Sequence, residues 1–195
     1  MRRAQLSLLL AFVTTTVPFL AAQAQDLPEA PKPSKEHKWL AKFEGKWSLS
    51  SSGVTGPGQP PIENKGTLTS KILGGYWVIN KMESEMMGMA FQGIQTIGYD
   101  EKTKKYVGTW VDSTNGFMWK YSGAVEKNGN KLVLEADGPD MQDPNKTTKY
   151  RDAYEFKGAD EITLTSSAQD PEGKWIDFMT GTAKRIKSAT TKSDK

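Results

Sequence analysis

The sequence predicts an all-β protein, a single up-and-down antiparallel β-barrel of about ten strands preceded by one short helix. Three observations predict it. From Gly45 onward the apolar residues come in short runs rich in Trp, Tyr, Ile, Val and Thr, with a period of two. Turn chemistry separates these runs at GVTGPGQPP, ILGGY, EMMGM, YDEKTKK, DSTNG, EKNGN, DGPDMQDPN, KGADE and QDPEGK. Nearly all the connections are hairpin-length, so neighbours in sequence become antiparallel neighbours in space, and such a meander closes most simply into a barrel. A two-sheet sandwich is the alternative that strand counting leaves open.

Taken in order, the chain begins with Arg2 and Arg3, the apolar run LSLLLAFVTTTVPFLA, and the small residues of Ala22-Gln23-Ala24. That order reads as a secretory signal over residues 1–24, cut before Gln25. A membrane anchor needs about 20 strongly apolar residues, and three threonines and Pro18 interrupt this run. The expected location is therefore periplasmic or secreted, at a bacterial envelope, with no membrane span once the signal is removed. Residues 25–34 carry Pro28, Pro31 and Pro33 and read as a linker. Ser34 caps a helix from about Lys35 to Glu44 that turns Trp39, Leu40 and Phe43 to one side, and Gly45 ends it. Strands follow near 46–54, 64–73, 76–86, 89–99, 105–112, 116–127, 130–137, 147–157, 161–168 and 174–185. Residues 35–187 thus form the barrel domain, and 188–195 a polar disordered tail.

Composition excludes several chemistries. Removing residues 1–24 takes two arginines and no acid from 26 basic and 23 acidic residues, so the formal charge falls from +3 to +1. A near-neutral chain lacks the clustered positive charge that nucleic acid requires. The absence of cysteine removes disulfides, thiolate catalysis and thiolate metal sites together. Histidine, the commonest general base and metal ligand, occurs once, as His37 on the short helix, where a partly exposed side chain is expected. The glycines of GQPP, LGG and MGM sit in turns with no helix behind them to hold a phosphate.

Alternation sorts the strands into faces. Phe117, Trp119, Tyr121 and Val125 share one face, against Lys120, Ser122 and Glu126 on the other. Leu132 and Leu134, Tyr150, Tyr154 and Phe156, and Ile162 and Leu164 repeat the pattern. Tyr76, Val78, Asn80 and Met82 oppose Glu83 and Glu85. Asp112 follows Tyr106 and Trp110 inward, with Arg151 and Arg185 as its expected partners. With six Trp, six Tyr and seven Phe, the interior is aromatic, and about ten strands enclose more space than side chains readily fill.

Four methionines, Met82, Met86, Met87 and Met89, invite a soft-metal reading. Strand geometry opposes it. Met82 and Met86 lie roughly 13 Å apart at about 3.3 Å per residue, and Met86 and Met87 point to opposite faces. Flexible wall and rim residues are the better reading.

Gly45-Lys46-Trp47, placed after a short helix and opening the first strand, resembles the G-x-W element of lipocalin-like barrels. The segments LGGYWV (73–78), GMAFQGIQTIGYDEKTKKYVGTWVDS (88–113) and GTAKR (181–185) resemble the domain-of-unknown-function 1579 family. The resemblance implies a lipocalin-like or nitrobindin-like barrel and assigns no activity. It further implies that Trp47 seals the barrel floor beneath an arginine of the last strand, for which Arg185 is the match. Haem ligation of the nitrobindin kind would need an inward strand histidine, which this chain lacks.

These readings converge on an exported barrel that binds a small apolar or amphipathic molecule in an aromatic and methionine-lined interior, with no cofactor and no metal. The expected lining is Trp77, Met82, Phe91, Trp110, Trp119 and Tyr121, with Asp112, Tyr150 and Arg151 as polar contacts. An enzyme acting on a hydrophobic substrate through Asp112 and an Arg or Tyr is the alternative. A third reading is an envelope structural or interaction protein with a filled barrel.

Overall fold

The computed structural model describes residues 32–54, 59–86, 88–143 and 145–187. The expected signal, most of the expected linker and the expected tail lie outside the described residues. Helix α1 (Lys35–Trp39) runs into a 3-10 turn at Leu40–Phe43. Ten strands follow: β1 (Gly45–Gly53), β2 (Ile62–Leu73), β3 (Trp77–Met86), β4 (Met89–Asp100), β5 (Lys105–Asp112), β6 (Trp119–Val125), β7 (Lys131–Pro139), β8 (Thr147–Phe156), β9 (Glu161–Gln169) and β10 (Trp175–Arg185). Each pairs antiparallel with its neighbours in sequence, and β1 pairs with β10 to close the barrel. Ring closure decides against the sandwich.

Closure joins Trp47 to Arg185 and runs through Leu49 and Ala183 to Gly53 and Met179. That seam is continuous, and a register shift falls instead on the other side of β10, between Asp177 and Met179 where it meets β9. A bulge of this kind adds a residue to one strand and changes which side chains turn inward beyond it.

The ring has a sealed end and an open one. At the sealed end, Leu40 and Phe43 of the 3-10 turn enter beneath Trp47, Val78, Ile97, Leu132, Leu134 and Ile162, all 0% exposed. Each such side chain contributes about 1.5–3 kcal/mol by leaving water. Arg185 lies over the Trp47 ring with its guanidinium 3.9 Å from the ring centroid. It donates through Nε to the Ala159 carbonyl at 2.9 Å, through Nη2 to that of Lys42 at 3.2 Å, and through Nη1 to that of Glu44. Gly45 is required beside it. Its φ is +131°, and a Cβ there would stand 2.4 Å from Arg185 Nη1.

His37 departs from its expected exposure. It is buried at 7%, because Ser34 and His37 form a capping box and the ring lies edge-on between Tyr76 and Tyr99, at 5.1 and 5.7 Å. A Ser34 Oγ to His37 Nδ1 contact of 2.9 Å ties it to the helix start.

Candidate functional site

Above the floor, every second strand residue faces the lumen, and these side chains form two further tiers. The middle tier is polar. Asn80 Nδ2 donates to Gln95 Oε1 at 3.0 Å, and Gln95 Nε2 donates to Tyr154 Oη at 2.7 Å. Four steps of the ten-strand ring separate β4 from β8, so this chain of bonds crosses the lumen. Beside it, Asp152 accepts from Tyr121 Oη and Ser166 Oγ, each at 2.5 Å.

Electrostatics here follow from desolvation. A carboxylate inside a barrel loses water, and burial pushes the Asp152 carboxyl up while the Ser166 and Tyr121 hydrogen bonds pull it back. Burial, reinforced by Asp152, also pushes the Tyr121 and Tyr154 phenols up, so both remain protonated. Among the described residues, no arginine or lysine pairs with Asp152. Among the described residues, the inward strand positions above the floor carry no basic side chain. Asp152 and Tyr154 sit within β8, deep in the ring, and are only part-buried as residues.

The upper tier is aromatic. Phe91 and Trp110 stack with centroids 6.4 Å apart and 23° between planes. Trp119 lies edge-on to Tyr150 at 4.8 Å and to Phe117 at 5.0 Å, and Tyr150 meets Phe178 at 6.2 Å. Inward glycines seat the two indoles. A Cβ on Gly93 would stand 2.4 Å from the Trp110 ring, and one on Gly138 would stand 2.1 Å from that of Trp119. Trp110, Trp119, Met82 and Met179 each keep part of their surface, unlike the fully covered floor.

Of the residues expected to line this space, Met82, Phe91, Trp110, Trp119, Tyr121 and Tyr150 face it. Tyr150 Oη is already engaged, donating to the Pro139 carbonyl at 2.6 Å. Asp112 stands at the rim without an arginine. Its Oδ2 accepts from Trp110 Nε1 and its Oδ1 from the Thr114 backbone N–H, both at 2.8 Å, so the carboxylate holds a turn and an indole.

Trp77 and Arg151 do not reach the lumen. Each is one position away from an inward residue, Val78 and Tyr150 respectively, and period two turns both outward. Trp77 is 39% exposed. Arg151 pairs with Glu135 at 2.8 Å and lies 3.9 Å over the Trp175 ring.

The sequence reading missed Ser70, Gln95, Asp152 and Ser166 as site residues, and had placed Asn80 and Tyr154 inward without giving them a role. Their signal was the same alternation. Asp152 stands between Tyr150 and Tyr154 in the inward phase, and Gln95 between Gly93 and Ile97. Among the described residues, no set of three His, Asp or Glu side chains is placed to share an ion.

An antiparallel meander of ten strands, sealed at one end by a helix, a tryptophan and an arginine, defines a lipocalin-like barrel. The chain belongs to the family described as "Protein of unknown function (DUF1579)", whose model matches residues 32–185. Among solved structures it is similar to Rv2717c from M. tuberculosis, with a TM-score of 0.59 and 12% identity, covering 80% of this chain and 100% of that one. It is also similar to the S-type phycobiliprotein lyase CPES from Guillardia theta, with a TM-score of 0.55 and 12% identity, again over 80% and 100% of the two chains. At that identity the likeness bears on the fold alone. No curated protein matches the chain.

Proposed function

We propose that the protein is an exported binding barrel that holds a small amphipathic molecule in the upper half of its lumen. One observation carries this reading. Aromatic and methionine side chains cover the inner wall toward the mouth and keep accessible surface there, while the floor beneath them is closed to water. Side chains in such a position lose the rest of their exposure when an apolar body enters, and the polar middle tier meets whatever polar groups that body carries. The two similar solved structures share the fold over their whole length, which supports the architecture. Export rests on the basic, apolar and small-residue order of residues 1–24.

Native mass spectrometry of the protein purified from its own host tests the reading, together with tryptophan fluorescence against a panel of lipids and aromatic compounds. A retained small-molecule mass and a saturable change in the Trp110 and Trp119 emission are expected. No retained mass and no response to any compound would leave the filled envelope barrel as the better account. Sequencing the mature N-terminus tests export, which expects Gln25 as the first residue.

A further inference from the structure

The buried polar atoms of the lumen are not satisfied evenly around the ring. Four buried side-chain atoms among the described residues lack a hydrogen-bond partner: Asn64 Oδ1, Ser70 Oγ, Asn80 Oδ1 and Ser84 Oγ. All four belong to β2 and β3. They also share one face, in phase with inward Leu68 and Met82. Ser70 and Asn80 are direct neighbours across the two strands and are 2% and 1% exposed. Ser84 lies further toward the mouth, opposite Gly66 and near Asn64, about 13 Å from Asn80 at roughly 3.3 Å per residue.

A buried polar atom without a partner costs on the order of a lost hydrogen bond, so four on one stripe call for an occupant that supplies the missing bonds. Elsewhere the wall needs none. Gln95 bonds to Tyr154, Tyr121 and Ser166 bond to Asp152, and the aromatic arc from β4 to β10 is apolar. We infer that the β2–β3 stripe reads the polar edge of an elongated, uncharged ligand whose flat apolar body lies against the aromatic arc, with hydrogen-bond donors near Asn80 and again near Ser84. This rests on the proposed binding function and adds the ligand's shape and charge. Anions are disfavoured. The charged groups facing the lumen above the floor are the carboxyls of Asp112 and Asp152, and the inward arginine, Arg185, is spent on the floor carbonyls.

Three stilbenes of one shape provide the test, titrated into the full-length mature protein and read by fluorescence or calorimetry. trans-4,4′-Dihydroxystilbene carries a neutral donor at each end, trans-stilbene carries none, and stilbene-4,4′-dicarboxylate carries two negative charges. The diol is expected to bind at least ten times more tightly than either of the others. Ser84→Ala should remove most of that preference while leaving stilbene affinity within about two-fold. Because its hydroxyl has no partner, Ser70→Ala should weaken the diol several-fold and leave the unfolding midpoint unchanged or raised, which separates recognition from folding. Equal binding of stilbene and diol overturns the stripe and leaves the binding function standing. A dicarboxylate that binds best overturns the charge assignment. If none of the three binds while other apolar compounds do, the elongated polar-edged ligand is wrong. If nothing binds at all, the binding function falls with it.

Discussion

At the floor, Trp47, Phe43 and Leu40 lose all contact with water, whereas at the mouth Trp110 and Trp119 keep part of their surface although they belong to the same closed sheet. The difference lies in what fills the ring. Ten strands enclose more space than their own inward side chains occupy. At one end the 3-10 turn of Leu40–Phe43 supplies the missing volume, and Arg185 caps it over Trp47. At the other end nothing equivalent enters from the described residues, and glycines at 93 and 138 let the indoles lie back against the wall. The ends share a backbone and differ in plug. One stores stability, and the other stores room.

The largest effect expected from this contrast is on stability at the floor. Trp47→Ala should cost about 3–5 kcal/mol in urea unfolding, the usual range for emptying a fully packed aromatic site. Trp119→Ala should cost less than about half of that, since its ring is already part-exposed, and should act mainly on ligand affinity. Equal costs for the two would mean that the mouth is packed core and the contrast is false.

A smaller effect tests the cap. Arg185→Met keeps much of the side-chain length and removes the donors, which leaves the carbonyls of Lys42, Glu44 and Ala159 without them. A loss of about 1–3 kcal/mol is expected, with binding at the mouth unchanged. A shift in ligand affinity would show that the two ends are coupled.

The smallest effect concerns pH. Burial raises the folded-state pKa of Asp152 above the 3.8 of an ordinary aspartate, so the folded protein holds this proton more tightly than the unfolded chain does. The stability that this proton supplies is complete below pH 3.8 and is lost as pH rises through the folded value. Asp152→Asn should flatten that decline in a series of denaturant midpoints run upward from acid pH. A decline of unchanged steepness in the variant would assign it to another group.

Much of this architecture was legible in the sequence because a strand announces its faces locally. Period two placed Trp110, Trp119, Tyr121 and Tyr150 correctly, and turn chemistry located nearly every hairpin. The same rule argued against Arg151 and Trp77, each one position out of phase, and their chemical appeal hid that. What no local rule supplies is who meets whom across the ring. Gln95 finds Tyr154 only because closure carries β8 to face β4, and Asp152 finds Ser166 through the register of β8 and β9. The G-x-W resemblance located the floor pair, Trp47 and Arg185, for the same reason in reverse: it carries long-range information that periodicity lacks.

That pairing of Trp47 with Arg185 also governs when the molecule can come into being. The first strand waits for the last, so a chain delivered N-terminus first has an unpaired β1 edge until nearly all of its residues are available. Closing a loop of such length is entropically slow, and for that interval the Trp47 side chain has no guanidinium above it and no floor to complete. A truncation lacking β10 would therefore be expected to yield an open sheet with two sticky margins rather than a smaller barrel, and the ring is best regarded as a clasp that snaps shut only once β10 is available.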